Sequence, residues 1–343
     1  TRALNDKGAA NGDYVLYWMQ QSQRAEHNPA LDLAIREANR LKLPVVVGFG
    51  LTDAYPEANL RHYRFMLEGL VDVQDALQEM GIRLAVRQGQ PNRVALELGR
   101  RASVIVCDTG YTRHQRQWRR TLAESAGCRV LQVEGDVVVP VAVASAKAEY
   151  AAHTFRPRIR KRLDEFLRLP RAVKLRQGSL GMDIPGLDLN DIDGVLAELD
   201  IDRSVAPVTP FLKGGTTEAN RWLAVFLGQN LPRYDKNRNQ PQTDDVSHMS
   251  PYLHFGQISP VHLALAVRDA DSGSRTDRDA YLEELIVRRE LAANFVHYTP
   301  DYDRIACLPD WARKTLDDHA GDRREHRYGR DELEAARTHD DYW

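Results

Sequence analysis

Two clusters of basic side chains have the residue types and the spacing to contact nucleic-acid phosphates. The first, from Arg113 to Arg120, places four arginines and Trp118 on about two turns of a helix. The second, from Arg156 to Arg162, has five cations in seven residues, directly before an apolar helix. Both patterns are also typical of a solvated surface, and the residues alone favour that interpretation, with Trp118 turned inward. Nucleic-acid contact stays open and is better supported at the second cluster.

Other short patterns indicate no chemistry on their own. Glu284 and Arg288 lie four residues apart in a helical segment, which predicts an ordinary surface ion pair. Gly48 and Gly50 form a GxG pattern after a predicted strand. However, Asp53 stands where a dinucleotide-binding fingerprint needs its third glycine, so this segment is interpreted as a turn. The 11 histidines lack ligand spacing, and we expect no metal site.

The composition is that of an ordinary globular protein of about two domains. The chain has 343 residues, of which 43% are hydrophobic and 28% charged. Its 47 Lys and Arg nearly balance 49 Asp and Glu, so any site for a polyanion must be a local patch. Cys107, Cys128 and Cys307 form no CxxC pattern, which favours a reducing, cytoplasmic setting.

Neither a membrane span nor a secretory signal is predicted. The longest mostly apolar stretch, 137–144, contains Pro140 and falls far below the roughly 20 residues that a bilayer span needs. Residues 1–13 are polar and lack the apolar core of a signal peptide. The chain begins with Thr1 rather than Met and ends abruptly at Trp343. These ends predict a segment of a longer protein.

Residues 13–139 alternate short β-branched runs with helical segments, which is the pattern of a parallel α/β sheet. We predict a doubly wound α/β domain over residues 1–140, with a five-stranded parallel sheet. The predicted strands are 14–18, 44–48, 82–87, 103–107 and 129–133. The predicted helices are 30–40, 58–80, 92–100 and 115–125, the second of which closes at Gly81.

The second half of the chain has a different pattern. Residues 141–210 combine a basic stretch with a segment rich in Gly, Asp and Pro, and are interpreted as an interdomain linker. Helical periodicity follows at 216–228, 260–270, 278–296 and 331–338, without a convincing strand. We therefore predict an all-α domain over residues 211–343.

Four longer strings resemble those of the class II cyclobutane pyrimidine dimer photolyases. They begin at Tyr14 (YVLYWMQQSQRAEHNPA), Glu149 (EYAAHTFRP), Ser250 (SPYLHFGQIS) and Glu283 (EELIVRREL). The strings occur in the order found in the family and span essentially the whole chain. They are together far more specific than any single short motif.

The resemblance implies a light-driven DNA repair enzyme. An α/β antenna domain would precede a helical FAD-binding domain, incomplete here because family members continue well beyond the point that resembles Trp343. In the family, excited reduced FAD donates an electron to a pyrimidine dimer, and the electron returns once the dimer has split. The implied partner is damaged DNA, because a dimer's weakened pairing and stacking ease its extrusion from the helix. We expect a monomer with no membrane partner.

The resemblance also implies site residues, carried over by motif position. The implied FAD contacts are Tyr234, Val246, Ser247, His248, Met249 and Ser250, with Leu253 as apolar lining. Backbone N–H groups and a hydroxyl before a helix suit a pyrophosphate, although Ser250 could equally be a plain N-cap. Glu284 matches the catalytic glutamate that hydrogen-bonds the dimer as charge develops. Arg288 matches a position that faces the substrate DNA, and Arg289 and Asn294 would contact flavin or DNA.

Two alternatives stay open beside repair. One is a cryptochrome-like blue-light sensor with the same architecture, and the other is a non-catalytic fragment that keeps the fold without flavin. Family members often carry a second, light-harvesting chromophore in the α/β domain. It is a deazaflavin or a folate, and the sequence does not distinguish the two.

Overall fold

A six-stranded sheet organises the N-terminal part of the chain in the computed structural model, which describes residues 1–169, 171–209 and 211–343. The strands are β1 Arg2–Ala3, β2 Tyr14–Trp18, β3 Val45–Leu51, β4 Arg83–Gln88, β5 Ala102–Asp108 and β6 Arg129–Val133. They lie in the order β1-β6-β5-β2-β3-β4, and every pair is parallel except β1 with β6. β2, β3 and β5 are buried along their whole length, as expected for strands covered by helices on both faces.

Four helices cover the sheet: α1 Pro29–Leu41, α2 Leu60–Glu79, α3 Pro91–Gly99 and α4 Arg113–Ser125. Alternate residues of β2 enter two separate cores because successive side chains of a strand point to opposite faces. Val15 and Tyr17 pack with α1 and α2, whereas Leu16 and Trp18 pack with α3 and α4. Gly81 has a φ of +76°, which lets the chain leave α2 as predicted.

The predicted doubly wound α/β fold is confirmed, and every predicted strand and helix of residues 13–139 occurs within a few residues of its expected bounds. The predicted number of strands is wrong by one. Arg2 and Ala3 pair antiparallel with Gln132 and Leu131 of β6 and form a sixth, edge strand. Two residues are too few to produce an alternating pattern, so this strand has no signature in the sequence.

The interpretation of the GxG pattern as a turn is also wrong. Gly48 and Gly50 lie inside β3, which continues to Leu51. A Cβ at Gly50 would lie 2.5 Å from Cα of Pro91, and a Cβ at Gly48 would lie 2.6 Å from Leu98 Cδ1. These glycines therefore allow α3 to pack closely against β3.

The regular elements of the remaining described chain are helices. They are α5 Val141–Ala144, α6 Ala152–Phe166, α7 Ile192–Glu198, α8 Thr216–Val225, α9 Tyr234–Asn237, α10 Ser250–His254, α11 Pro260–Arg268, α12 Arg275–Leu282, α13 Arg289–Tyr298, α14 Asp310–Asp318 and α15 Arg330–Glu334. π-helical turns follow α8 at Phe226–Asn230 and join α12 to α13 at Glu283–Arg288, so the helix is continuous from Arg275 to Tyr298. Short 3-10 turns occur at Leu231–Arg233 and Ile305–Cys307.

The segment 141–210 was interpreted as a linker, but its described residues form three helices, α5, α6 and α7. Phe155 and Ile159 of α6 are buried in the core of the helical part, and Val195 and Leu196 of α7 are buried beside the sheet. Pro210, where the predicted linker ends, lies outside the described residues. Thr1–Tyr298 form one compact unit and Thr299–Trp343 a second, which contains α14 and α15. The division into domains at residues 140 and 210 stays a prediction.

Candidate functional site

A cleft of about 490 Å³ lies within the first unit. We call it the polar cleft because several charged and hydroxyl-bearing side chains line it. Its walls come from the loops after β2 and β6, from α9 and α10, and from the continuous helix 275–298. The lining residues are Gln21, Asp136, Tyr234, Ser247, Met249, Ser250, Leu253, His254, Tyr281, Glu284, Leu285 and Arg289. A volume of several hundred Å³ with a few convergent polar groups is typical of a small-molecule site.

The sheet places two of these residues beyond the carboxyl ends of its strands. β2 lies between β3 and β5, so the strand order reverses there, and ligands of open α/β sheets bind beside such reversals. Gln21 follows β2, and its loop is fixed by Asp108 at the end of β5. The Asp108 carboxylate accepts hydrogen bonds from the N–H groups of Gln20, Gln21 and Ser22, each at 3.0 Å. Asp136 reaches the cleft from the loop after β6.

The charged groups of the cleft are held by specific partners. Arg289 Nη1 donates to the carbonyl oxygen of Asp136 at 2.6 Å, and its Nη2 lies 3.4 Å from Asp136 Oδ2. Glu284 lies in the π-helical turn, a rare conformation that is frequent at functional sites. Its Oε1 accepts a hydrogen bond from Arg238 Nη1 at 2.8 Å, and its side chain is 40% exposed. The cleft therefore has one accessible carboxylate and one buried carboxylate.

Two tyrosines form an aromatic wall of the cleft. The rings of Tyr234 and Tyr281 meet edge to face at 5.1 Å, and the Tyr281 hydroxyl donates to Ser247 Oγ at 3.1 Å. Burial raises the pKa of both phenols above their usual value, and Glu284 raises that of Tyr234 further. Both phenols are therefore neutral near pH 7 and act as hydrogen-bonding and packing groups.

The structure brings most of the predicted site residues together. The predicted residues that line the cleft are Tyr234, Ser247, Met249, Ser250, Leu253, Glu284 and Arg289. Ser250 is the first residue of α10 and Met249 is at the N-cap position, so Ser250 is not the plain N-cap considered above.

Four predicted contacts lie outside the cleft lining that the described residues form: Val246, His248, Arg288 and Asn294. The carbonyl of Val246 accepts a hydrogen bond from Asn230, and His248 lies 2.8 Å from Asp244. Arg288 is exposed, and its Nε lies 3.8 Å from Glu283.

Asn294 is completely buried, and both ends of its amide bind backbone. Its Oδ1 accepts from Glu149 N at 2.8 Å, and its Nδ2 donates to Lys147 O at 3.1 Å. Both bonds hold the segment that leads into α6, and a contact of Asn294 with flavin or DNA stays a prediction.

Sequence reasoning did not identify five lining residues: Gln21, Asp136, His254, Tyr281 and Leu285. Gln21, His254 and Leu285 lie inside the strings that carry the family resemblance, but nothing in their types marks them. Gln21 and Asp136 could have been found from their positions, since each follows the carboxyl end of a predicted parallel strand.

A second cavity, of about 540 Å³, lies beside the polar cleft and is lined mainly by aromatic and aliphatic side chains. We call it the apolar cavity. Phe49, Met66, Trp118 and Val296 are among its lining residues. Gln21 and His254 line both spaces and form their common wall. Burial, and to a lesser degree His62, lowers the pKa of His254 below its usual value.

The two basic clusters are largely engaged within the chain. In the first, Arg119 donates to Gln132 Oε1 at 3.1 Å and Arg116 to the carbonyl of His297 at 3.1 Å, while Trp118 is half-buried at the apolar cavity. In the second, Arg156 forms a bidentate pair with Glu283, at 2.9 and 2.7 Å. The second cluster therefore lies next to the π-helical turn that carries Glu284.

Neither a metal-ligand cluster nor a membrane-spanning helix occurs among the described residues. No group of three or more His, Cys, Asp or Glu side chains in this part of the chain could hold a metal ion. Nor does it contain a helix that is both long and apolar enough to cross a membrane.

Known proteins resemble this chain in sequence. A family model described as DNA photolyase matches residues 15–175. A deoxyribodipyrimidine photo-lyase of Methanothermobacter thermautotrophicus is 46% identical over 333 residues, covering 97% of this chain and 72% of that protein. A deoxyribodipyrimidine photo-lyase of Potorous tridactylus is 36% identical over 332 residues, covering 96% of this chain and 62% of that protein.

Solved structures resemble the fold. A bacterial class III photolyase from Agrobacterium tumefaciens matches with a TM-score of 0.69 at 17% identity, covering 86% of this chain and 61% of that chain. A cryptochrome from Synechocystis matches with a TM-score of 0.69 at 16% identity, covering 83% and 62%. Identities this low show a common fold, in which an α/β sheet domain is followed by helices. The chain thus spans between 61% and 72% of the length of these four proteins.

Proposed function

The chain belongs to the DNA photolyase family, and from this premise we propose that it repairs cyclobutane pyrimidine dimers in DNA by light-driven electron transfer. In this proposal it is a class II member and binds reduced FAD in the polar cleft. The four strings beginning at Tyr14, Glu149, Ser250 and Glu283 support the class. One observation carries the proposal: a half-exposed glutamate, a cation, two serine hydroxyls and an aromatic wall, distant in sequence, line one cleft.

The residues of the cleft fit a flavin dinucleotide. Arg289 supplies a positive charge, and Ser247 and Ser250 supply hydroxyl donors, which suits a pyrophosphate. Met249, Leu253 and Leu285 supply apolar contacts for a ring system. A buried oxygen of Asp136 has no hydrogen-bond partner among the described residues, as expected of an acceptor that a ligand satisfies.

Bound reduced FAD would supply an electron donor that light excites. The chain's own side chains would bind the flavin and orient the lesion beside it. Glu284 offers Oε2 to the lesion, because its Oε1 already accepts from Arg238. A carboxyl group in that place holds a dimer by hydrogen bonding and stabilises charge that develops on it.

The side chains around Glu283 suit DNA phosphates. Arg156, Arg288 and Arg160 each lower the pKa of the Glu283 carboxyl, Arg156 most strongly. Three cations around one carboxylate leave an excess of positive charge beside Glu284. Phosphate contacts at this place would fix the register of the duplex while the cleft recognises the extruded dimer.

The apolar cavity suits a light-harvesting chromophore. Its aromatic and aliphatic lining fits a planar ring, and Gln20, Gln23 and Gln115 add neutral hydrogen-bonding groups. A deazaflavin and a folate both meet this description, and binding titrations with each would distinguish them.

The experiment that tests the proposal combines flavin binding with repair. The purified chain is titrated with FAD, and a dimer-containing oligonucleotide is then exposed to blue light under reducing conditions. We expect structured flavin absorbance and light-dependent loss of dimers. Bound flavin with intact dimers would favour a light sensor, and a chain that binds no FAD would contradict the proposed site.

Glu284→Ala tests the role of the glutamate. We expect the repair yield to fall at least tenfold with flavin absorbance unchanged, since removing one stabilising group of this kind costs about 10²–10³ in rate. Glu218→Ala is a matched control, because Glu218 also pairs with an arginine at 2.8 Å but on the surface of α8. Equal loss of flavin and of repair in Glu284→Ala would show a structural role instead.

A further inference from the structure

We propose that Asp136 binds the ligand of the polar cleft directly, accepting a hydrogen bond from an N–H or O–H group, and that Gln21 positions its carboxylate. This inference rests on the FAD site proposed above. It concerns a residue outside the motifs that carry the family resemblance, in the loop after β6.

Asp136 combines burial with an incomplete set of partners. Its exposed fraction is 5%, yet it is part of the cleft wall. Oδ2 accepts from Gln21 Nε2 at 3.3 Å and lies 3.4 Å from Arg289 Nη2. Oδ1 has no hydrogen-bond partner among the residues that the structure describes. A buried carboxylate oxygen without a donor is costly, which indicates that a donor comes from elsewhere.

Arg24 lies near Oδ1, but its guanidinium is held by three other acceptors. Its Nη1 lies 3.9 Å from Oδ1, beyond hydrogen-bond distance. That atom donates to Gly256 O at 2.9 Å, Nη2 donates to Gly135 O at 2.9 Å, and Nε donates to His27 O. Arg24 is completely buried and cannot turn toward Asp136 without breaking these bonds. Because Asp136 lines the cleft, a donor on a ligand there would satisfy Oδ1.

The orientation of Asp136 is set by a chain of amide groups. Gln115 Oε1 accepts from Thr112 N at 3.3 Å, which leaves its Nε2 to donate to Gln21 Oε1 at 2.8 Å. Gln21 therefore presents Nε2 to Asp136. A flipped Gln21 amide would place its oxygen against the Asp136 carboxylate. The hydrogen bonds from Gln115 through Gln21 to Asp136 therefore favour one orientation of the Gln21 amide.

The chemistry of the carboxylate restricts which part of the ligand it meets. An anionic acceptor repels phosphate and attracts a neutral donor. In FAD the neutral donors are the adenine amino group, the sugar and ribityl hydroxyls and the N–H groups of the flavin ring. Asp136 would therefore contact one end of the dinucleotide while Arg289, bound to the same residue's carbonyl, faces the pyrophosphate.

The test is Asp136→Asn, because this change alters one atom. To keep the bonds that Oδ2 makes, the new amide must place its NH₂ group where Oδ1 stood, and it can then no longer accept a hydrogen bond there. We expect the FAD dissociation constant to rise tenfold or more, the effect of a lost hydrogen bond to a charged group. Titrations with FMN and with ADP locate the donor, since only the half that carries it should show the loss.

Gln115→Glu tests the positioning by Gln21 with Asp136 intact. The carboxylate keeps the bond from Thr112 N but cannot donate, so Gln21 must flip and present its oxygen to Asp136. We expect FAD to bind several-fold more weakly, with no further loss when Gln21→Ala is added. Thr112→Asp is the matched control, because it adds a carboxylate to the same helix end, keeps a good N-cap and makes no bond to Gln21.

The outcomes separate the inference from the proposed function. FAD binding by the wild type with equal affinity in Asp136→Asn would overturn the inference alone, and would show that water satisfies Oδ1. No FAD binding by the wild type would overturn the flavin site and the inference together. Similar losses in Thr112→Asp, or losses shared by FMN and ADP, would assign the effect to general destabilisation. Thermal unfolding of each ligand-free variant accompanies every titration.

Discussion

The polar cleft and the apolar cavity are neighbours of nearly equal size with opposite chemistry. Their volumes are about 490 and 540 Å³, and Gln21 and His254 form a wall of each. The cleft gathers two carboxylates and a guanidinium, whereas the cavity gathers rings and aliphatic groups. Volume therefore does not decide which ligand each space accepts, and the few polar groups on the walls do.

One helix contributes to both spaces. Glu284 and Arg289 line the polar cleft, and about one turn later Ala292, Ala293 and Val296 line the apolar cavity. The change from charged to small apolar residues along a continuous helix sets the difference between the two spaces. Substitutions along this helix should consequently affect one space and spare the other.

Raising the pH should weaken the cleft wall formed by the loop after β6. Glu290 is buried and accepts hydrogen bonds from Val138 N and Val139 N, and burial raises the pKa of its carboxyl to about 8. The folded chain thus holds this proton more tightly than the unfolded chain, whose carboxyl ionises near 4.5. The free energy of unfolding should fall as the pH rises from about 5 to 8, by up to about 1.4 kcal/mol per pH unit.

Chemical denaturation at several pH values measures this slope. Glu290→Gln should flatten it, since the variant has no proton to lose. Glu283→Gln is the control. Arg156 lowers the pKa of Glu283, so the contribution of Glu283 to the free energy of unfolding changes only as the pH falls below about 4.5, and this variant should keep the slope between pH 5 and 8. Parallel pH profiles for wild type and Glu290→Gln would contradict the prediction.

Removing the cation of the cleft should weaken the binding of an anionic ligand there and leave the apolar cavity unaffected. Arg289→Ala should weaken FAD binding about 10- to 100-fold, because hydrogen bonds to charged groups contribute roughly 1.5–3 kcal/mol. A chromophore in the apolar cavity should bind with unchanged affinity. Arg288→Ala removes the neighbouring arginine outside the cleft and should weaken binding of DNA instead of FAD. Fluorescence titrations with FAD and with duplex DNA measure both, and equal loss of FAD in the two variants would argue against a specific contact.

Filling the apolar cavity is the reciprocal change. Ala293→Trp introduces a large ring into its wall and should lower the affinity for a deazaflavin or a folate about tenfold, while FAD affinity stays within about twofold. Titrations of each ligand against wild type and variant measure the split. A parallel fall in FAD affinity would show that the helix transmits strain and that the two spaces are not independent.

The sheet was predictable because its signals are local. Buried parallel strands such as β2 read as continuous apolar runs, and Gly81 marks the end of α2. The predictions failed for the two-residue β1 and for the glycines of β3. Both features depend on residues far away in sequence, since β1 pairs with β6 and Gly50 packs against Pro91.

The cleft was predictable only where a motif carried it. Glu284 and Ser250 came from strings that resemble a family, and Ser247 came from the turn 246–250 matched to the same family; no periodicity singles them out. Asp136 was missed although its position after a predicted parallel strand marks it, and Tyr281 was missed because its role depends on a tertiary hydrogen bond to Ser247. His254 lay within a matched string, yet its position in the common wall could not be read from its type.

The common wall itself gives the smallest expected effect and the closest test of the comparison. Burial lowers the pKa of His254, so the unfolded chain binds its proton more tightly, and stability should fall as the pH drops below about 6.5. His62 and Asp136 are the other charged or titratable groups that act on this ring. Protonated His254 would place a positive charge against a neutral chromophore in the apolar cavity but near the anionic phosphates of FAD in the cleft. Between pH 7.5 and 5.5 we expect the chromophore affinity to fall by less than about tenfold, or 1.4 kcal/mol, and FAD affinity not to fall. His254→Gln should remove the pH dependence at the cavity, and loss of both ligands in parallel would show that His254 does not distinguish the two spaces.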